Sequence, residues 1–86
     1  MHFANNLRVL RKNKGRSQDE VVIAVGMKRS SYAGWEQGTA QPSLEKLVEL
    51  ASYHHMTLDA LLLYDLDSWP KSTLDAMIRA YTPIPA

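Results

Sequence analysis

Arg29, Ser30, Ala33 and Gly34 fall on one side of a short helical pattern, roughly Lys28 to Gln37, whose other side carries the bulky Tyr32 and Trp35. These residue types at this spacing suit recognition chemistry, not bond making. A guanidinium can fork onto guanine O6 and N7, a contact that discriminates between bases by about 1–3 kcal/mol, or it can meet a phosphate. The hydroxyls of Ser30 and Ser31 donate or accept toward either, and Ser31 has the alternative of bonding its own helix backbone. Ala33 fits against a thymine methyl. Gly34 has no side chain and costs a helix roughly 0.5–1 kcal/mol relative to Ala, which points to close backbone approach to DNA or to a narrow reader. Lys28 adds a phosphate-seeking cation. A helix anchored on one face and left short and hydrogen-bonding on the other suits the major groove of double-stranded DNA.

Catalysis has no comparable cluster. There is no Ser/His/Asp grouping, no Gly-rich phosphate loop and no pair of carboxylates at catalytic spacing, so no catalytic residue and no enzyme is expected. His54 and His55 are adjacent and point about 100° apart on a helix, with His2 far off, so a shared metal ion is disfavoured. Cysteine is absent, which removes disulfides and thiolate zinc sites. No metal or cofactor is expected.

The elements that must hold this cluster are all helical. Ser17 and Glu20 form a capping box, opening a helix whose apolar side is Val21, Val22, Ala24 and Val25 and which stops at Gly26. Upstream, Phe3, Leu7 and Leu10 repeat at helical period within about Phe3 to Asn13, and a Lys14-Gly15-Arg16 turn follows. Downstream, a fourth helix is read from about Ser43 to His54 with Leu44, Leu47, Val48 and Ala51 inward and Pro42 at its entry. A fifth starts at Thr57 and buries Leu58, Leu61 and Leu62. No segment alternates with period two, so the fold class is all-α, five short helices.

A sixth helix follows an acidic Asp65-Leu66-Asp67 link, with Pro70 in its first turn and Pro83 and Pro85 as its stop. Its stripe of Leu74, Met77, Ile78 and Tyr81 needs cover, either on its own domain or in a dimer, and the reading leans to the dimer. The chain thus divides into a domain at 1–64 and a dimerisation segment at 65–86.

Eighty-six residues, 45% of them apolar, make one small globular unit. No apolar run approaches the ~18 residues of a membrane helix and no secretory pattern opens the chain, so no membrane partner and a cytoplasmic location are expected. The net charge of +1 conceals a division: residues 1–40 hold seven basic side chains against three acidic, and residues 41–86 three against six. One end is therefore suited to a polyanion and the other to protein or solvent.

From Asn6 to Leu62 the chain resembles the helix-turn-helix family of the phage repressor and Cro type. The residues that carry the resemblance are Ser17-Gln18, Gly26 and the aromatic-Glu-x-Gly of Trp35-Glu36-Gln37-Gly38, with Asn6-Leu7-Arg8-Val9-Leu10-Arg11 before them. Gln41-Pro42-Ser43-Leu44 and Thr57-Leu58-Asp59-Ala60-Leu61 follow in the family's order. The resemblance implies that Gln18 bonds a phosphate and braces the reading helix, and that Arg11 and Glu36 pair to set its angle. It also implies that the loop of Gln37, Gly38, Thr39 and Ala40 offers amides to a second phosphate. Val22 stands where a small residue usually sits. The function implied is a dimeric transcriptional repressor on a palindromic operator, bacterial or phage in origin. The alternative is a protein-interaction module, an antitoxin or anti-repressor contacting a protein partner.

Overall fold

A computed structural model describes residues 1–82. Among these residues the chain forms α1 (Phe3–Asn13), α2 (Gln18–Val25), α3 (Arg29–Gln37), α4 (Leu44–Tyr53), α5 (Leu58–Leu63) and α6 (Lys71–Ala80), with a single 3₁₀ turn at Leu66–Ser68 before α6 and no strand. Pro83 and Pro85, read as the stop of α6, lie outside the described residues.

Local chemistry explains the boundaries. The Ser17 hydroxyl accepts from the Glu20 amide at 3.1 Å and the Glu20 carboxylate accepts from the Ser17 amide at 2.9 Å, so both arms of the capping box are made. Ser43 and Thr57 cap α4 and α5 through the amides of Lys46 and Ala60. Gly26 closes α2 at φ +73°, a left-handed turn open to glycine at little steric cost. The end of α4 makes the same turn with His55 at φ +55°. There the His55 amide donates to Ser52 O at 3.1 Å and the Met56 amide to Ala51 O at 2.9 Å, a Schellman closure.

The core gathers Phe3, Leu7 and Leu10 of α1, Val21 and Val22 of α2, Tyr32 and Trp35 of α3, Leu50 and Ala51 of α4, Ala60 and Leu61 of α5, and Leu66 and Leu74 beyond. Two inward faces differ from the sequence reading. On α4, Leu44 and Val48 are 80% and 55% exposed, and the buried side is Leu50 and Ala51 with Leu47 half-buried. The stripe that faces inward is Leu47, Leu50, Ala51 and His54, at i, i+3, i+4 and i+7, so its fourth member is a histidine that an apolar count passes over. On α5, Ala60 and Leu61 are buried while Leu58 remains 39% exposed, because α5 is pinned by its carbonyls. Fully buried Asn6 donates Nδ2 to Leu61 O at 2.8 Å and Tyr64 O at 2.7 Å and accepts from the Leu66 amide at 3.2 Å. One amide side chain thereby joins α1 to the end of α5 and to the turn that leads into α6.

The apolar stripe of α6, read from sequence as a dimer contact, packs against its own domain. Leu74 is buried in the same core, and Met77 and Ile78 are half-buried against it. Tyr81 stacks on His55, with ring centroids 5.4 Å apart. Polar contacts hold α6 to α1: Asn13 donates Nδ2 to Asp75 Oδ1 at 3.0 Å and accepts from Lys71 Nζ at 2.8 Å. The stripe finds its cover within its own chain, and residues 66–78 contribute to one core with residues 1–64.

Candidate nucleic-acid interface

The two aromatic anchors decide which way α3 faces. Tyr32 is fully buried and Trp35 nearly so, their rings edge to face with centroids 6.2 Å apart. The same helix turns Arg29, Ser30, Ser31 and Gln37 to solvent, with Ala33 and Gly34 half-buried beside them. Lys28 takes the N-cap position in extended conformation and makes no side-chain cap bond, so the first turn of α3 leaves its amides without a side-chain acceptor there.

Behind this face runs a chain of charged and amide groups. Glu36 is 1% exposed, yet ionised: Arg11 donates Nε to its Oε2 at 2.7 Å and Nη2 to its Oε1 at 3.0 Å. Gln18 donates Nε2 to the same Oε1 at 3.0 Å. Burial pushes the Glu36 carboxyl upward, but the hydrogen bonds from Arg11 and Gln18 outweigh it and hold the group below the ordinary carboxylate value. The bond to Glu36 likewise raises Arg11. Burial, then the nearby carboxylate, pushes the Tyr32 phenol far above its usual range. Arg8 supports the end of α3 by donating Nη1 to the Glu36 carbonyl at 2.6 Å.

The chain continues outward. Gln18 Oε1 accepts from Arg29 Nε at 2.9 Å, and Arg29 Nη1 donates to Asp19 Oδ1 at 2.5 Å. Arg11, Glu36, Gln18, Arg29 and Asp19 thus form one connected series from α1 through α3 and α2 to the solvent face. Gln18 uses both ends of its amide here and keeps one Nε2 hydrogen for another acceptor.

A family model described as a helix-turn-helix domain matches residues 2–63. The chain belongs to that family. It is 33% identical over 69 residues to the uncharacterized HTH-type transcriptional regulator YobD of Bacillus subtilis, covering 80% of this chain and 62% of the relative. It is 30% identical over 77 residues to the cryptic phage CTXphi transcriptional repressor RstR of Vibrio cholerae, covering 90% and 68%. With the HTH-type transcriptional regulator AnsR of Bacillus subtilis it shares 41% over 58 residues, covering 67% and 50%. The chain therefore spans about half to two thirds of the length of these relatives. No solved structure gives a significant match.

Within this helix-turn-helix domain the residues singled out from sequence separate into groups. Gln18, Lys28, Arg29, Ser30, Ser31 and Gln37 are on or beside the outward face, and Ser30 and Ser31 make no side-chain hydrogen bond among the described residues. The loop that follows differs from expectation. The Gly38 amide donates to Trp35 O at 3.3 Å, and the Thr39 and Ala40 amides donate to Gly34 O at 3.0 and 3.3 Å. Even the Thr39 hydroxyl donates to that carbonyl, at 3.3 Å. These amides close the helix and are not free donors for a phosphate. The loop folds back over Gly34, where a Cβ would meet Ala40 Cβ and Thr39 Oγ1 at 3.4 Å, ordinary contact that does not by itself require glycine. Sequence reasoning passed over Asp19 and Arg8, counted only as charges, and Asn6, although Asn6 sits on the Phe3–Leu7–Leu10 stripe and so had to be buried.

No helix among the described residues is long and apolar enough to cross a membrane.

Proposed function

We propose that this helix-turn-helix domain is a sequence-specific DNA-binding transcription regulator that reads the major groove through α3. We further propose that two copies act on two halves of a palindromic operator about 34 Å apart, as a repressor. The observation that carries the reading is the orientation of α3: Tyr32 and Trp35 bury one side while Arg29, Ser30, Ser31 and Gln37 stand exposed on the other. Lys28 and the unused Gln18 hydrogen flank that face as phosphate donors, and Ala33 offers a methyl-sized contact. The names of the matched relatives, transcriptional regulators and one phage transcriptional repressor, support the same reading.

Selection of bound duplexes from a random pool tests it, giving half-site and spacing together, with sedimentation of the complex giving the number of chains. Arg29→Ala should relax preference at one base position, and Gln18→Ala should weaken binding to every sequence. Absence of salt-sensitive binding to any duplex overturns the reading. The protein-interaction alternative, an antitoxin or anti-repressor, draws support from Leu44 and Val48, one turn apart and exposed on α4. It predicts a duplex-independent complex with a protein that Val48→Glu abolishes.

A further inference from the structure

Arg29 does not extend freely from α3. Its Nε is held by Gln18 Oε1 at 2.9 Å and its Nη1 by Asp19 Oδ1 at 2.5 Å. Two bonds on a planar group set both its direction and its plane, and three of its five N–H groups remain: both on Nη2 and one on Nη1. Those three are the donors left for guanine O6 and N7. The Arg29 and Asp19 side chains are 54% and 68% exposed, so the pair is a surface ion pair of small worth to folding. Its position at the reading face calls for another role.

We propose that Asp19 is a specificity-determining residue: by holding Arg29 it presents the guanidinium to a base edge and withholds it from phosphates. An unheld arginine beside duplex DNA has phosphates within reach whatever the sequence, and each phosphate it neutralises adds affinity without information. The Asp19 carboxylate cancels the charge that would draw Arg29 to the backbone, yet it leaves the hydrogen-bond donors that a guanine reads. Gln18, itself fixed by Glu36 at 3.0 Å, supplies the second point of the clamp and ties it to the core. Asp19 is thus a positioning residue, acting through Arg29. The inference rests on the DNA-reading proposed above.

The test compares the wild type, Asp19→Asn, Asp19→Glu, Arg29→Ala and the Asp19→Asn/Arg29→Ala double variant. Each is titrated with a pool-selected duplex and a scrambled duplex of equal length across a salt series, with a thermal melt of each variant. Asp19→Asn should bind the scrambled duplex several-fold more tightly, and its selected-to-scrambled affinity ratio should fall about tenfold. Its log-affinity slope on scrambled DNA should steepen by about 0.9, one further phosphate neutralised. Asp19→Glu should recover most of the ratio, and in the Arg29→Ala background Asp19→Asn should leave the ratio where it was. An unchanged ratio and slope in Asp19→Asn, or an equal loss of affinity for both duplexes, overturns the proposal while leaving the DNA-binding reading intact. Failure of the wild type to bind either duplex overturns both.

Discussion

His54 makes the stability of this domain fall at a pH well above that at which carboxylates titrate. Its imidazole is 3% exposed, on the inward stripe of α4, and its Nε2 has no hydrogen-bond partner. Burial, with the nearby Lys14 cation adding to it, pushes the group down from 6.5 to about 3. Between those values the unfolded chain binds a proton that the native chain refuses. Stability is therefore full above pH 6.5 and declines as pH falls, by about 1.4 kcal/mol per unit, until the folded value is reached. At pH 5 the loss is about 2 kcal/mol, a substantial part of the roughly 5–15 kcal/mol that holds a native domain together. Leu is close to His in size and carries neither the proton site nor the unpaired nitrogen. His54→Leu should therefore be more stable at pH 7.5 by about 1–3 kcal/mol and should lose the slope between pH 6.5 and 5. Urea unfolding followed by far-UV circular dichroism at pH 7.5, 6 and 5 measures both quantities. Glu36 interferes little, since its loss begins only below the ordinary carboxylate value of 4.5. If wild type and His54→Leu trace parallel stability curves across that range, the native state accommodates the imidazolium and the reasoning fails.

Three further outcomes follow from the contacts. Glu36→Gln strips the charge partner from half-buried Arg11 and should cost about 3–5 kcal/mol at pH 7, with Arg11→Met restoring most of it and chemical denaturation of the four-member cycle reading the coupling. Because the folded Glu36 carboxyl is depressed, its contribution is present above 4.5 and lost as pH drops through the folded value, so the variant should show a flatter acid limb. Asn6→Ala leaves the Leu61 and Tyr64 carbonyls and the Leu66 amide unpartnered and should cost about 2–4 kcal/mol, visible as a fall of roughly 8–30 °C in the thermal midpoint at about 4–8 °C per kcal/mol. Gly34→Ala meets its neighbours at 3.4 Å, ordinary contact, and should raise stability by about 0.5–1 kcal/mol in a melt. The same variant should weaken duplex binding if the α3 backbone approaches DNA, and leave it unchanged if it does not.

What the sequence made legible was the part written in local rules. The capping box at Ser17, the stop at Gly26 and the anchoring pair Tyr32 and Trp35 each depend on neighbours within a turn or two, and each falls where its residue type requires. The left-handed His55 was not legible in this way: its helix-ending role rests on the resemblance, in which a glycine often stands at that position. What escaped was decided at long range. Leu44 and Val48 are as apolar as Leu47 and Leu50, and only the docking of α4 against α2 and α5 says which pair turns outward. The stripe of α6 needed cover, but periodicity is blind to whether that cover is Leu10 and His55 of the same chain or a second copy. The polar members Asn6 and His54 were hidden because hydropathy counts treat a polar residue as surface, whereas burial depends on the partners it finds, and Asp19 was hidden because only the fold brings it to Arg29.

Glu36 belongs to two systems at once, and this shapes how the reading face responds to change. With Arg11 it is part of the interior, sealed between α1 and α3. Through Gln18 and Arg29 it reaches the solvent face in two further hydrogen bonds, 3.0 and 2.9 Å. Substitutions along the series should therefore divide by position. At Arg11 and Glu36 the angle of α3 and the stability of the fold move together, because a buried pair cannot be half broken without leaving a charge in the interior. At Gln18 the fold is spared and the support for Arg29 is lost. At Asp19 the fold is spared and one of the two holds on Arg29 is lost, and what changes is the choice between a base edge and a phosphate. Along these five connected side chains the effect of substitution thus passes from stability to specificity, ending at a guanidinium held at two points.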